Sequence, residues 1–189
     1  MRADYLRIGV SKTLNLRAKR LTLIVAIATF ITFLDQLSKF FIRTELRLKE
    51  TWTPIAAIGS WFRIVHWRNS GVAFGLFPGY GWLMTLIGLV VLTLVVIFYK
   101  PVLSGAPWLA AAIGLQYGGA IGNMIDRINP SVGYVVDFIW IGNFPVFNFA
   151  DTAVTIGAGI LLLCLWLEDE TNRSEIKETT ESGSHEQHI

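Results

Sequence analysis

Two aspartates, Asp137 in the run VVDF and Asp151 in FNFAD, lie fourteen residues apart where acidic residues are scarce. The chain holds 14 Asp and Glu, and seven of them (Glu168, Asp169, Glu170, Glu175, Glu178, Glu181 and Glu186) crowd the carboxyl-terminal tail. The other seven are Asp4, Asp35, Glu45, Glu50, Asp126, Asp137 and Asp151. A carboxylate near the hydrocarbon of a bilayer costs about 2.5–3.5 kcal/mol, so one found there points to function. Two carboxyls brought within a few ångströms cannot both ionise, and they come to share one proton. The ionised member can then take a proton from an attacking water while its protonated partner donates to a peptide carbonyl oxygen. Asp137 sits in YVVDFIWI, which reads as a short strand, and a carboxylate among such neighbours needs a partner. Asn148 and Asp151 are three apart before an apolar run, the spacing of a helix N-cap and its first turn. The positive end of that helix favours charge on Asp151, making it the readier base and Asp137 the readier acid.

Further polar residues stand in or beside apolar segments: Asp35 and Lys39, Asn69, Asn123, Asp126 and Arg127. Asp35 and Lys39 are four apart and share a helix face. Their plain reading is a self-compensated pair at a helix end, with Lys39 reaching outward to water. Asp126–Arg127 reads equally as a simple helix terminus, although Arg127 beside Asn123 can also hold a substrate carbonyl or orient a carboxylate. Capping alone accounts for Asn148 and Asp151, but it leaves Asp137 unexplained.

The elements that must position these side chains are membrane spans. The 189 residues are 53% hydrophobic with a mean hydropathy of +0.51, which excludes an ordinary soluble domain. Four windows approach the ~20 apolar residues a spanning helix needs: Leu21–Phe41, Trp82–Tyr99, Pro107–Ile125 and Phe149–Leu167. The expected fold class is an all-α membrane protein, four transmembrane helices with a small extracytoplasmic β-rich region. Arg2, Arg7, Lys12, Arg17, Lys19 and Arg20 against Asp4 place the amino terminus in the cytoplasm by the positive-inside rule. Four crossings return the carboxyl terminus there. The rule is obeyed less well later, because Arg43, Arg47, Lys49, Arg63 and Arg68 fall in the first external loop. A cleavable signal peptide is the rival for residues 1–34, but no small-x-small site follows and the chain continues into FLDQLSKFF.

Within this plan, residues 1–20 form a basic, mobile cytoplasmic segment and 21–167 the membrane domain, with an acidic, disordered tail over 168–189. Residues 44–80, rich in β-branched and aromatic side chains, predict two or three short strands at the outer interface, with Trp52, Trp61 and Trp67 suited to an aromatic belt. Gly114, Gly118 and Gly122 recur every fourth residue, a ridge that permits close helix approach. By this topology the polar residues converge at one external depth. The single cysteine, Cys164, lies in an apolar run and reads as a small buried or lipid-facing residue. None of His66, His185 and His188 has a partner at metal-ligand spacing, so no metal is expected.

Taken together and in order, DQLSK from Asp35, NSGVAFG from Asn69, GGAIGNMIDR from Gly118, VVDF from Val135 and FNFAD from Phe147 resemble the bacterial lipoprotein signal peptidases, the type II signal peptidases, from about Leu21 to Leu167. The resemblance implies an inner-membrane aspartic endopeptidase that cuts prolipoproteins before a diacylglyceryl-modified cysteine, with no metal, other cofactor or nucleic acid. It implies a monomer in contact with membrane lipids, inhibited by peptide antibiotics of the globomycin type. The catalytic pair it implies is Asp137 and Asp151, not Asp126. The residues implied to support the pair or touch substrate are Asp35, Asn69, Asn123, Arg127 and Asn148, and Lys39, Gly71 and Asp126 are expected beside them in the same role. The stretch between VVDF and FNFAD is short for this pattern. Two other readings compete: a small transporter whose aspartates carry protons, and an assembly factor whose glycine ridge binds a partner helix. A transporter should line a path across the whole bilayer, whereas an aspartic peptidase needs its polar residues at one depth.

Overall fold

The computed structural model describes residues 2–71, 76–99, 101–164, 166 and 167, with side chains from residue 14 onward except those of 101 and 104. Part of the NSGVAFG motif (72–75) and the tail from 168 lie outside the described residues. Helix α1 (Arg2–Glu45) leads through β1 (Thr51–Trp52), a 3-10 turn at Ala56–Ile58 and β2 (Phe62–Asn69) to α2 (Gly81–Phe98). The one-turn α3 (Pro101–Ser104), α4 (Pro107–Ile128), β3 (Val135–Ile141) and α5 (Phe149–Cys164) complete the chain. The architecture is a mostly helical bundle with a small three-stranded sheet. Two helices are long and apolar enough to cross a membrane, one within Leu14–Glu45 and the other Gly81–Phe98; Phe149–Cys164 is apolar but shorter.

Residues 2–20, expected to form a basic cytoplasmic segment, are helical and continue α1 without a break. The reason lies in the sequence: the stretch has no proline and its only glycine is Gly9, so nothing stops the helix propagating backwards.

Helix α4 is the axis of the bundle, and small residues let two neighbours reach it. A Cβ on Gly118 would come 2.7 Å from the Ile31 Cβ and 2.8 Å from the Ala28 carbonyl oxygen, so α1 lies backbone to backbone on that face. Thr32 Oγ1 and Gln36 Nε2, both on α1, donate to the carbonyls of Gly118 and Gly122 across the seam (each 3.0 Å). On the other side Gly119 lies against the Ala150 carbonyl of α5, and Gly157 against that of Ala112. The glycine ridge is thus occupied within the chain, which removes the feature on which the assembly-factor reading rested. Residue numbers rise together along α1 and α4 (Ile27 at Gly114, Ile31 at Gly118, Asp35 at Gly122), so the two run parallel. Thr93 meets Tyr117 and Thr85 meets Arg127, so α2 runs antiparallel to α4, as α5 does.

The two ends of the bundle differ. One holds an apolar cluster of Ile24, Leu92, Val102, Ala110 and Ile113. The other holds the buried polar residues Asp35, Lys39, Asn123, Asp126, Asp137 and Asn148. Large apolar side chains such as Val25, Phe30, Phe33, Val90, Val91 and Ile97 stand exposed around the outside. Polar within and apolar without is the arrangement of a protein dissolved in lipid.

At the polar end the sheet has order β1-β2-β3, all antiparallel. The strand expected in YVVDFIWI is β3, and residues 44–80 contribute the other two. Irregular pairing between Ile64 and Trp67 separates two stretches of the β2–β3 ladder, beyond which Trp67 lies opposite Asp137 and Asn69 opposite Val135. After β3 the chain reverses through Gly142, whose φ of 52° is the left-handed conformation glycine tolerates best. Phe147 then pairs back with Ile139. That reversal delivers Asn148 and α5 to the side of Asp137.

Candidate active site

Asp137 lies in a strand and Asp151 in the first turn of a helix, and Asn148 joins them. Its side-chain amide donates to Asp137 Oδ1 (2.7 Å), while its Oδ1 accepts the Asp151 backbone N–H (2.9 Å). The Asn148 backbone N–H in turn donates to Asp151 Oδ2 (3.3 Å). These reciprocal bonds form a capping box, with Asn148 as N-cap as the spacing predicts. The amide left over after capping is what reaches Asp137.

Three asparagines surround the two carboxyls, and each is held by a group that can only donate. The Gly71 N–H donates to Asn69 Oδ1 (2.9 Å), so Asn69 Nδ2 faces Asp137 Oδ2 (2.9 Å). The Asp151 N–H fixes Asn148 in the same way. The Lys39 ammonium donates to Asn123 Oδ1 (2.8 Å), so Asn123 Nδ2 faces Asp151 Oδ1 (2.8 Å). An amide's two ends have nearly the same shape, and only the neighbouring donor decides which is presented. Both carboxyls therefore meet N–H groups.

Lys39 does not reach outward to water as its plain reading supposed; it is fully buried. Its three N–H groups meet Asp35 Oδ2 (2.7 Å), Asp126 Oδ2 (2.9 Å) and Asn123 Oδ1 (2.8 Å). Every donor is matched, which is what makes the burial of a cation tolerable. Gly122 makes room for the cluster, since a Cβ there would fall 2.5 Å from Asp35 Oδ2. Nor is Asp126 a simple helix terminus: besides Lys39 it binds Arg43 (3.2 Å) and the Val136 N–H (3.3 Å).

Arg127 donates to the Gly71 carbonyl (2.6 Å) and to Thr85 Oγ1 (2.9 Å), tying the loop after β2 to α2 and α4. Gly81 permits this, because a Cβ there would strike both the guanidinium (2.6 Å) and the Gly71 oxygen (2.7 Å).

Two cavities flank the site. One of about 580 Å³ is lined by Asp151, Asn123, Arg127 and Asn69 at its polar end and by Met84, Gly88, Ala120, Val154 and Ile156 beyond. The other, about 510 Å³, is lined by Asp137, Asn69, Gly71, Thr51 and Trp67. They share Asn69 and residues 144–146 in their linings; Asp151 lines the first and Asp137 the second. Burial pushes the Asp137 carboxyl up to about 7, and the charge of Asp151 pushes the same way. Hydrogen bonds from Asn69 and Asn148 and the charge of Lys39 hold it back from rising further.

All ten residues expected at the site converge at this end of the bundle. Four participants were not singled out in the sequence: Gln36, Arg43, Gly81 and Thr85. Arg43 was within reach of sequence reasoning, because Asp35, Lys39 and Arg43 follow one another at intervals of four on one helix. Thr85 gave no signal: one hydroxyl in an apolar span ordinarily bonds its own helix, as this one also does to Gly81. Among the described residues no group of His, Cys, Asp and Glu could hold a metal ion.

Apolar outside and carboxyl-lined within, the molecule is built as a membrane enzyme that works with aspartic acids. Comparison with known proteins makes the class specific. The family model described as Signal peptidase (SPase) II matches residues 27–167, and the chain belongs to that family. The lipoprotein signal peptidase of Halothermothrix orenii is 35% identical over 148 residues, covering 78% of this chain and 98% of that protein. The lipoprotein signal peptidase of Dehalococcoides mccartyi is 42% identical over 151 residues, covering 76% and 88% respectively. A bacterial membrane enzyme solved by the in meso method superposes with a TM-score of 0.68 at 32% identity, over 79% of this chain and 90% of its own.

Proposed function

We propose that Asp137 and Asp151 are the catalytic pair of an endopeptidase that releases signal peptides from prolipoproteins, cutting before a cysteine that carries diacylglycerol. One observation carries this reading: two carboxyls from different elements, joined by Asn148, line two adjoining cavities that share Asn69 and residues 144–146. Asp137, raised toward 7, is the proton donor to the scissile carbonyl oxygen. Asp151, at a helix N-terminus and accepting from Asn123 and the Asn148 backbone, is the base that deprotonates the attacking water. The cavity that runs from Asp151 to Met84, Ala120 and Ile156 suits an acyl chain or an apolar signal segment.

Four crossings fit the geometry. Helix α4, at 22 residues, is about 33 Å long, enough for a hydrocarbon core of ~30 Å. Helix α5 runs antiparallel beside it. The basic amino terminus then lies in the cytoplasm and the site at the periplasmic face of the inner membrane, where a lipidated substrate arrives sideways from the bilayer. Globomycin-type peptides would compete for the same cavities, and the enzyme acts as a monomer. A proton path across the bilayer is disfavoured by the apolar cluster closing the far end.

The direct test is cleavage of a diacylglyceryl-modified prolipoprotein peptide by Asp137→Asn and Asp151→Asn enzymes in lipid. Each is expected to lose about 10²–10⁴-fold or more in turnover. Undiminished turnover in either would refute the pair.

A further inference from the structure

We propose that the buried cluster Asp35–Lys39–Asp126 is a clamp that sets the spacing and polarity of the two aspartates, so that all three are positioning residues for the reaction. This rests on the reading of Asp137 and Asp151 as the pair. Asp35 Oδ1 accepts the N–H of Ala150, the residue before Asp151 (3.1 Å). Asp126 Oδ2 accepts the N–H of Val136, the residue before Asp137 (3.3 Å). The Lys39 ammonium holds those two carboxylates together at 2.7 and 2.9 Å. One cation thereby joins the backbone of α5 to the backbone of β3, each one residue from a carboxyl that must meet the other.

The third N–H of Lys39 sets the polarity. By donating to Asn123 Oδ1 it turns the Asn123 amide toward Asp151. Asn148 Nδ2 also donates to Asn123 Oδ1, at a longer 3.2 Å, so without the ammonium the amide keeps only the weaker of its two holding donors, and any turn end for end would present an oxygen to a carboxylate, which repels it.

Stability alone does not account for the cluster. Buried ion pairs are often replaced by packed apolar residues at no loss, because desolvation cancels much of the attraction. Here each charge also makes a bond to the site. Arg43 balances the set by pairing with Asp126 from the partly exposed rim, so two cations meet two anions.

Lys39→Met leaves two buried carboxylates with only Arg43 between them and is at risk of misfolding. The charge-balanced pair Asp35→Asn with Lys39→Met keeps an oxygen for Ala150 and is the second variant. For whichever variant keeps its thermal transition in detergent, turnover of the lipidated peptide is expected to fall about 10²-fold with KM within about twofold, as for misplaced reacting groups. The alkaline limb of the rate–pH profile is expected to move to higher pH, because the charge of Lys39 lowers the pKa of Asp137. The other charges facing Asp137, Asp151 from α5 and Arg127 from α4, remain in place. Adding Asn123→Ala to either variant should cost less turnover than the same change made with Lys39 in place.

A folded variant with wild-type turnover and pH profile would overturn the clamp while leaving the pair intact. Failure of both variants to fold would also overturn it, assigning the cluster to stability. Turnover surviving in Asp137→Asn would overturn the pair itself, and the clamp with it.

Discussion

A single carboxyl group links chemistry to stability in this molecule. Asp137 ionises near 3.8 as an ordinary aspartate and near 7 in the fold, mainly because it is buried. Its neutral form is favoured in the folded state, so its contribution to stability is fully present below pH 3.8 and is lost as pH rises through 7. Asp137→Asn, neutral at every pH, should therefore melt above wild type at about pH 8, by roughly 2–4 °C per kcal/mol relieved, with a smaller gap at about pH 4. Melting curves that coincide at about pH 8 would show that ionising this carboxyl costs the fold nothing. If Asp137 is the proton donor as proposed, the same titration sets the alkaline limb of catalysis: turnover should decline above about pH 7 as the donated proton is lost. Asn148 matters in two capacities. Asn148→Ala removes a cap worth about 0.5–2 kcal/mol and the donor to Asp137, so both melting temperature and turnover should drop.

Among the elements, α4 makes the tightest demands, because it packs against two helices at once. Gly119 faces the Ala150 backbone, which cannot swing aside as a side chain could. Gly119→Ala should cost about 1–3 kcal/mol as overpacking and push Asp151 away from Asn123. Gly159 is the contrast: it sits in α5 with open space where a Cβ would go. Gly159→Ala should be neutral or stabilising by up to about 1 kcal/mol, through reduced freedom of the unfolded chain. Thermal transitions of the two variants in one detergent decide the matter, and equal shifts would contradict this account of the packing. The short connection from β3 to α5 is equally exacting. It is long enough only for a reversal at Gly142, and that brevity brings Asn148 back beside Asp137.

For the molecule as a whole, the proposed topology puts Ser60 on the periplasmic side of the membrane and Arg17 on the cytoplasmic side. Both are exposed in the structure. With Cys164 replaced by serine, Ser60→Cys should react with a membrane-impermeant maleimide in intact spheroplasts, and Arg17→Cys only after lysis. The reverse pattern would invert the proposed topology and the side on which substrate is cut.

Much of this was written in the sequence. Mean hydropathy and span-length apolar windows follow from composition, because burying or dissolving that much apolar surface admits few solutions. The capping of α5 was legible from Asn148 and Asp151, three apart, and β3 from its alternating β-branched and aromatic residues. The motif blocks from DQLSK to FNFAD were enough to place the chain in its family. What the sequence left open depends on contacts between distant segments. Whether Lys39 points to water or inward turns on Asp126 and Asn123, more than eighty residues away. That choice exists only once Gly122 has let α1 approach α4. The helical continuation of α1 through residues 2–20 was likewise not legible, since charge density signals exposure but not backbone conformation. Residue types and their order determined that the protein is a membrane protein of its family and which groups are candidates for its chemistry. Only the packed fold decided how those groups are held, because a charge deep in lipid takes its direction from whatever partner the folded chain sets beside it.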